Sequence, residues 1–224
     1  IAKTSPDNWK EQTEYAGNIL RLLEEKGAFG EDTPALRQLK GLILRGELRD
    51  AAQALGLSQD KVVFLDLPFY EKGRYRRFQL AQEDHDAVKN LLSKFKPHQI
   101  YLTGAASDPS SVSALTYRAL QTALGELQHE DWSAMCSVWL YRGKEKSLEP
   151  WEIDMAIPLS PNQLERKARA LTRYQSLTSM EKEITHANQS AAAKYDALGL
   201  ANYEAMESFQ RWRNQKSEPL NLKP

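Results

Sequence analysis

Cysteine is almost absent from this chain: Cys136 is the sole example in 224 residues, so no intrachain disulfide framework can form. A reducing, cytoplasmic setting is the expectation that follows. No run approaches the ~18 apolar residues of a membrane-spanning helix, and no stretch reads as a secretory signal. Net charge is lacking too, since thirty basic residues balance thirty acidic ones. That balance argues against nucleic acid or an anionic membrane as partner. The phosphate-cradling Gly-x-Gly-x-x-Gly and P-loop motifs are missing, as is a Gly-x-Ser-x-Gly nucleophile elbow. Histidine is scarce, with four residues (His85, His98, His129 and His186), and no two stand at metal-ligand spacing.

What is present suits a folded domain. The chain is 41% hydrophobic and 27% charged, enough for a packed core. Residues 7 to 28 read as a helix anchored by Trp9, Tyr15, Ile19, Leu22 and Leu23. Thr33-Pro34 opens a second helix carrying Leu39, Leu42, Ile43, Leu48, Ala51, Ala52 and Leu55, with Gly56 as its left-handed stop. Val62 to Leu65 is β-branched and continuous, the pattern of a buried strand. A helix follows over Asp84 to Phe95. His98 to Gly104 reads as a strand, with Asp108 and Pro109 as N-cap and first residue of the helix holding Leu120, Ala123, Leu124 and Leu127. Ser137 to Tyr141 and Ile153 to Ile157 complete the strands. Ser160-Pro161-Asn162-Gln163 is a capping box for a helix to about Ser176. Two more helices are expected near Ser190 to Leu198 and Asn202 to Trp212, then a polar tail. Alternating strands and helices predict an α/β, Rossmann-like fold with a largely parallel sheet flanked by helices. The organisation expected is a helical segment over 1–34, one α/β domain over 35–213 and a tail over 214–224.

In such sheets ligands sit beyond the carboxyl ends of the strands. Asp66, Tyr70 and Glu71 follow one strand. Asp66 and Glu71 can accept from sugar hydroxyls, and Phe69 or Tyr70 can stack on a ring; an ordinary capped turn is the competing reading. Lys72, Arg74, Arg76 and Arg77 could hold a phosphate or form a solvated basic loop. Asp84-His85-Asp86 is read as a solvated helix start rather than a metal site, because adjacent helical residues diverge. Cys136 is read as a small buried strand residue.

Several segments together resemble the PIG-L/LmbE-like de-N-acetylases, zinc enzymes that cleave the acetamide of N-acetylglucosamine derivatives. The likeness is nearest to the version fused to glucosamine-6-phosphate deaminase-like proteins. It rests on Leu39-Lys40-Gly41-Leu42-Ile43, Arg45-Gly46-Glu47 and Phe64-Leu65-Asp66-Leu67-Pro68-Phe69-Tyr70-Glu71. It continues in Lys96-Pro97-His98-Gln99-Ile100, Asp108-Pro109, Trp139-Leu140-Tyr141-Arg142-Gly143, Glu152 through Pro161, and Tyr195-Asp196-Ala197-Leu198-Gly199-Leu200. The resemblance implies an LmbE-like fold and an amino-sugar or sugar-phosphate ligand. It points to Glu47, Asp66, Tyr70, Glu71, Asp108 and Arg142 as substrate-binding residues.

The catalytic pattern of that family is not matched. Its His-Pro-Asp-Asp strand, which supplies two zinc ligands and the general base, does not occur. Its Asp-Pro-His-x-x-His loop keeps Asp108-Pro109 but has Ser110 and Ser113 at the histidine positions. A late histidine reads Tyr174. The expectation is therefore a de-N-acetylase-like domain without zinc, cofactor or catalytic residue, binding a ligand or partner. Two alternatives stand beside it. One is an active zinc-dependent N-deacetylase whose first strand lies upstream of Ile1. The other is an oligomerisation module, as a homo-oligomer or beside an upstream deaminase-like domain, with Tyr203, Met206 and Phe209 as interface candidates.

Overall fold

The computed structural model describes residues 9–26, 30–69, 79–104, 111–142, 148–176, 180–200 and 202–212. The chain forms two compact units, one of Ile1–Val62 with Arg169–Thr178, the other of Val63–Ala168 with Ser179–Pro224.

The first unit is built on α1 (Trp9–Lys26) and α2 (Pro34–Ala54). Helix α2 starts where the sequence says it should: the Thr33 hydroxyl accepts from the Leu36 N–H at 3.3 Å, and Pro34 takes the first turn. It stops at Gly56, whose φ of +91° is open to glycine at little cost, with the Gly56 N–H returning to the Gln53 carbonyl. Ile19, Leu36, Ala51 and Ala170 are buried apolar residues of this unit. Asp32, between the helices, accepts from Lys26 of α1 at 2.7 Å and Lys40 of α2 at 2.8 Å.

The second unit holds α3 (Gln82–Phe95), β1 (Gln99–Thr103), α4 (Val112–Glu126), the short α5 (Asp131–Met135) and β2 (Ser137–Tyr141). Then come β3 (Met155–Leu159), α6 (Pro161–Leu171, of which Arg169 to Leu171 fall in the first unit), α7 (Met180–Ala197) and β4 (Ala205–Arg211). The sheet order is β1-β2-β4-β3. β1 and β2 are parallel, Gln99 opposite Ser137 and Thr103 opposite Tyr141, whereas β4 runs antiparallel to both β2 and β3. The expected largely parallel sheet is thus corrected to a mixed α/β sheet flanked by helices. The cause is the segment 202–212, expected as a helix with Tyr203, Met206 and Phe209 as interface candidates on it. Once β2 and β3 flank it, its backbone groups find ladder partners on both sides, and the strand wins. Pro158, which has no N–H to give, lies in β3 at the sheet edge.

Residues of one parity share a face. Ile100, Leu102, Val138 and Leu140 meet Val88 and Leu92 of α3 and Ala119, Leu120, Ala123 and Leu124 of α4. Further along, Met206 packs on Ala191 and Ala192 of α7. The opposite face carries aromatics, with Phe209 edge-on to Tyr101 and Tyr141 at centroid distances of 5.2 and 6.4 Å. Burying these apolar side chains at roughly 1.5–3 kcal/mol each drives the unit's assembly.

Other local readings divide. The Ser160–Gln163 box forms in both directions, at 2.8 and 3.3 Å, but α6 ends at Leu171, where the Thr172 hydroxyl bonds back to the Arg169 carbonyl. Val62–Leu65 forms no ladder among the described residues, although Leu65 and Leu67 pack on the core. Helix α4 is capped by the Ser111 hydroxyl on the Ala114 N–H at 3.2 Å; Asp108 and Pro109 lie outside the described residues. No helix among the described residues is long and apolar enough to cross a membrane.

Candidate functional site

Two parallel strands that end side by side leave a crevice beyond their carboxyl ends, because each chain turns away into its own loop. Here β1 runs into Gly104 and β2 into Arg142, and the Gly104 N–H donates to the Tyr141 carbonyl at 2.7 Å, extending the pairing one step past the strands. A cavity of about 190 Å³ opens there, lined by Gly104, Tyr117, Leu140, Tyr141, Arg142, Leu148 and Gln210. It is smaller than the ~300 Å³ at which drug-sized pockets begin, so it suits a small ligand.

Each lining residue has a structural reason to be there. Tyr117 projects from α4, its hydroxyl accepting from Gln121 at 3.1 Å. Leu148, 2% exposed, is an apolar anchor, and Gln210 comes from β4 opposite Leu140. Burial, and secondarily the charge of Glu207, pushes the Tyr141 phenol upward, so it stays a neutral hydroxyl. Glu207 itself is taken up by Lys167 of α6, which also donates to Asn188. Arg142 supplies the cation. Its guanidinium lies 3.6 Å from Glu152, and the two side chains are 35% and 31% exposed. Glu152 closes the short turn Pro150–Glu152, where its other oxygen accepts from the Glu149 N–H at 2.9 Å.

The remaining sequence-predicted residues are placed elsewhere. Asp66 is exposed in the second unit at φ +48°, a left-handed conformation that aspartate tolerates. Tyr70, Glu71 and Asp108 lie outside the described residues, as do Lys72, Arg74, Arg76, Arg77 and Ser110. Glu47 belongs to the first unit, where one carboxylate oxygen accepts from the Ser176 N–H at 3.1 Å and its hydroxyl at 2.8 Å. The other oxygen is enclosed and has no donor among the described residues. Tyr174 stands nearby, its phenol pushed up by burial and by the Glu47 charge. The structure thus gathers Glu47, Tyr174 and Ser176 in one unit and Arg142 with Glu152 in the other.

The chain is related to a glucosamine-6-phosphate deaminase-like protein. That protein, from Bacteroides thetaiotaomicron, is 35% identical over 211 residues, which is 88% of this chain but 32% of its own length. The chain therefore spans about a third of the relative it matches. No family model matches the sequence. In fold it is similar to GalB, the 4-carboxy-2-hydroxymuconate hydratase of Pseudomonas putida KT2440. The TM-score is 0.61 over 88% of this chain and 81% of the hydratase, at 18% identity.

Asp84 departs from the solvated helix start expected of it. It is fully buried, its carboxylate accepting from the Phe69 N–H at 2.9 Å and the Ala81 N–H at 2.8 Å. Among the described residues, no three of His, Cys, Asp and Glu converge to hold a metal ion. Cys136 caps the end of α5 rather than lying in β2, beside a second cavity of about 250 Å³ at the amino end of that strand. Although larger, that cavity is at the wrong end of the parallel pair for a crevice site. Burial raises the Cys136 thiol, which keeps it protonated and a poor nucleophile.

Sequence reasoning missed Tyr117, Leu148, Gln210 and Glu152. Gln210 was hidden by the helical reading of β4. Glu152 lay in a segment quoted for the family resemblance, and its ten-residue separation from Arg142 carries no local signal.

Proposed function

We propose that the second unit binds a small sugar phosphate at the carboxyl edge of β1 and β2, with Arg142 as the anion's partner. One observation carries this reading. Arg142 lines the cavity, and its guanidinium pairs with Glu152 at 3.6 Å, too long for a hydrogen bond. A guanidinium has five N–H donors in a planar fork that matches phosphate oxygens two at a time. The hydroxyls of Tyr117 and Tyr141 and the Gln210 amide are suited to sugar hydroxyls. The sugar-phosphate class is supported by the deaminase-like relative.

Among the described residues no three of His, Cys, Asp and Glu converge, so the donors there do not fit zinc. Zinc hydrolysis takes three protein ligands and an open position for water. Ser110 and Ser113 stand where the resembled de-N-acetylases have imidazoles, and a neutral hydroxyl is a weak zinc donor. Ligand binding, rather than metal-dependent deacetylation, is the function proposed.

Calorimetric titration of the full chain with glucosamine 6-phosphate tests this. Arg142→Gln is expected to weaken binding about tenfold or more, the loss of a charge-assisted contact. Absence of binding, or binding indifferent to Arg142→Gln, contradicts the proposal.

A further inference from the structure

The cavity of about 250 Å³ at the amino end of β2 is a separate feature from the Arg142 crevice. Leu124 of α4 and Val138 of β2, both buried, give it an apolar floor together with Ala134 of α5. Trp212, half-buried, adds an indole. Backbone bonds hold these walls in place. The Trp212 N–H donates to the Val138 carbonyl at 2.9 Å, and the Cys136 N–H to the Ser133 carbonyl at 3.2 Å. The Arg211 N–H donates to the Asp154 carboxylate at 2.8 Å, which fixes the strand end that carries both Arg211 and Trp212.

Arg211 is exposed, at the mouth, and no acid lines the cavity with it. Its guanidinium and the Ser133 and Ser137 hydroxyls make no hydrogen bond or ion pair among the described residues. The ammonium groups of Lys89, Lys167 and Lys194 in the same unit, by contrast, each sit against a glutamate. Open donors over an apolar floor suit a ligand with one anionic end and an apolar body. An apolar cavity of about 150 Å³ is enough to hold a benzene ring, so this one has room for a ring with a short acidic arm. The Trp212 indole favours an aromatic body, which it meets offset or edge-on. A ligand rich in hydroxyls would instead bury polar groups against Leu124 and Val138 without partners. We infer that this cavity binds a small arenecarboxylate, its ring against Leu124, Val138 and Trp212 and its carboxylate on Arg211 and the two serine hydroxyls. This site stands independently of the sugar-phosphate reading.

Cys136 lies in the lining and is the sole cysteine, so its alkylation reports on this cavity alone. The test is the rate of Cys136 alkylation by iodoacetamide in the full chain, with phenylacetate or its uncharged counterpart phenylacetamide added, alongside calorimetric titration with both. Phenylacetate is expected to slow alkylation saturably. It is also expected to bind roughly fivefold tighter than phenylacetamide, the size of one partly exposed charge pair. Arg211→Gln is expected to erase that difference by weakening phenylacetate alone. An alkylation rate that phenylacetate leaves unchanged, equal binding of the two compounds, or a preference that survives Arg211→Gln overturns the inference. The two compounds on the unmodified chain decide if the variant does not fold.

Discussion

Asp84 holds the backbone N–H of Phe69, fifteen residues away, at 2.9 Å in a fully buried position. Its second oxygen closes the N-terminus of α3 on Ala81 at 2.8 Å. One side chain therefore caps a helix and pins the segment before it, where Leu65 and Leu67 pack on the core. Phe69 itself is 2% exposed. Asp84→Ala removes the carboxylate that accepts from one buried and one half-buried amide and is expected to cost about 3 kcal/mol. In a chain of this size that lowers the melting temperature by about 6–12 °C. Asp84→Asn, keeping one acceptor oxygen, should fall between. Thermal denaturation followed by circular dichroism checks both; an unchanged Asp84→Ala melt contradicts the clamp.

Asp32 makes the first unit acid-sensitive. Hydrogen bonds from Lys26 and Lys40, with their charges, lower its pKa from 3.8 to about 2. A depressed folded-state pKa contributes stability that is complete above the unfolded value and lost as pH falls through the folded one. The link between α1 and α2 is thus expected to weaken between about pH 4 and about pH 2. Asp32→Asn should flatten the acid dependence of helical circular dichroism in that window. Superimposable acid titrations of the two proteins would show that the pairing contributes nothing.

Helix boundaries were legible because the chemistry that sets them is local. Thr33-Pro34, Gly56 and Ser160 to Gln163 each act within four residues, and each does in the structure what its neighbours require. Strands were less legible, since a strand is defined by partners far along the chain. Val62 to Leu65 has strand-like residues and no ladder among the described residues, whereas the 202–212 segment, expected as a helix, has two ladders. The site divided the same way. Arg142 was reached through the family resemblance, in the segment Trp139 to Gly143. Its partner Glu152 and its neighbour Gln210 arrive from a separate turn and a separate strand, which no local spacing encodes.

Metal content gives an independent check on the serine substitutions. After incubation with zinc and removal of excess, elemental analysis of the full chain is expected to find far less than one zinc per chain. Glucosamine 6-phosphate binding should be the same with and without a chelator. Stoichiometric zinc, or binding lost on chelation, would restore the hydrolase reading.

The location of the ligand is the central claim, and amide chemical-shift mapping addresses it directly. Isotope-labelled full chain is titrated with glucosamine 6-phosphate in the presence of a chelator. The amides of Gly104, Tyr141, Arg142, Leu148 and Gln210 are expected to shift together, while those of Ser133 to Val138 at the other end of β2 stay in place. Shifts clustered around Cys136 instead, or no shifts at all, would contradict the Arg142 site.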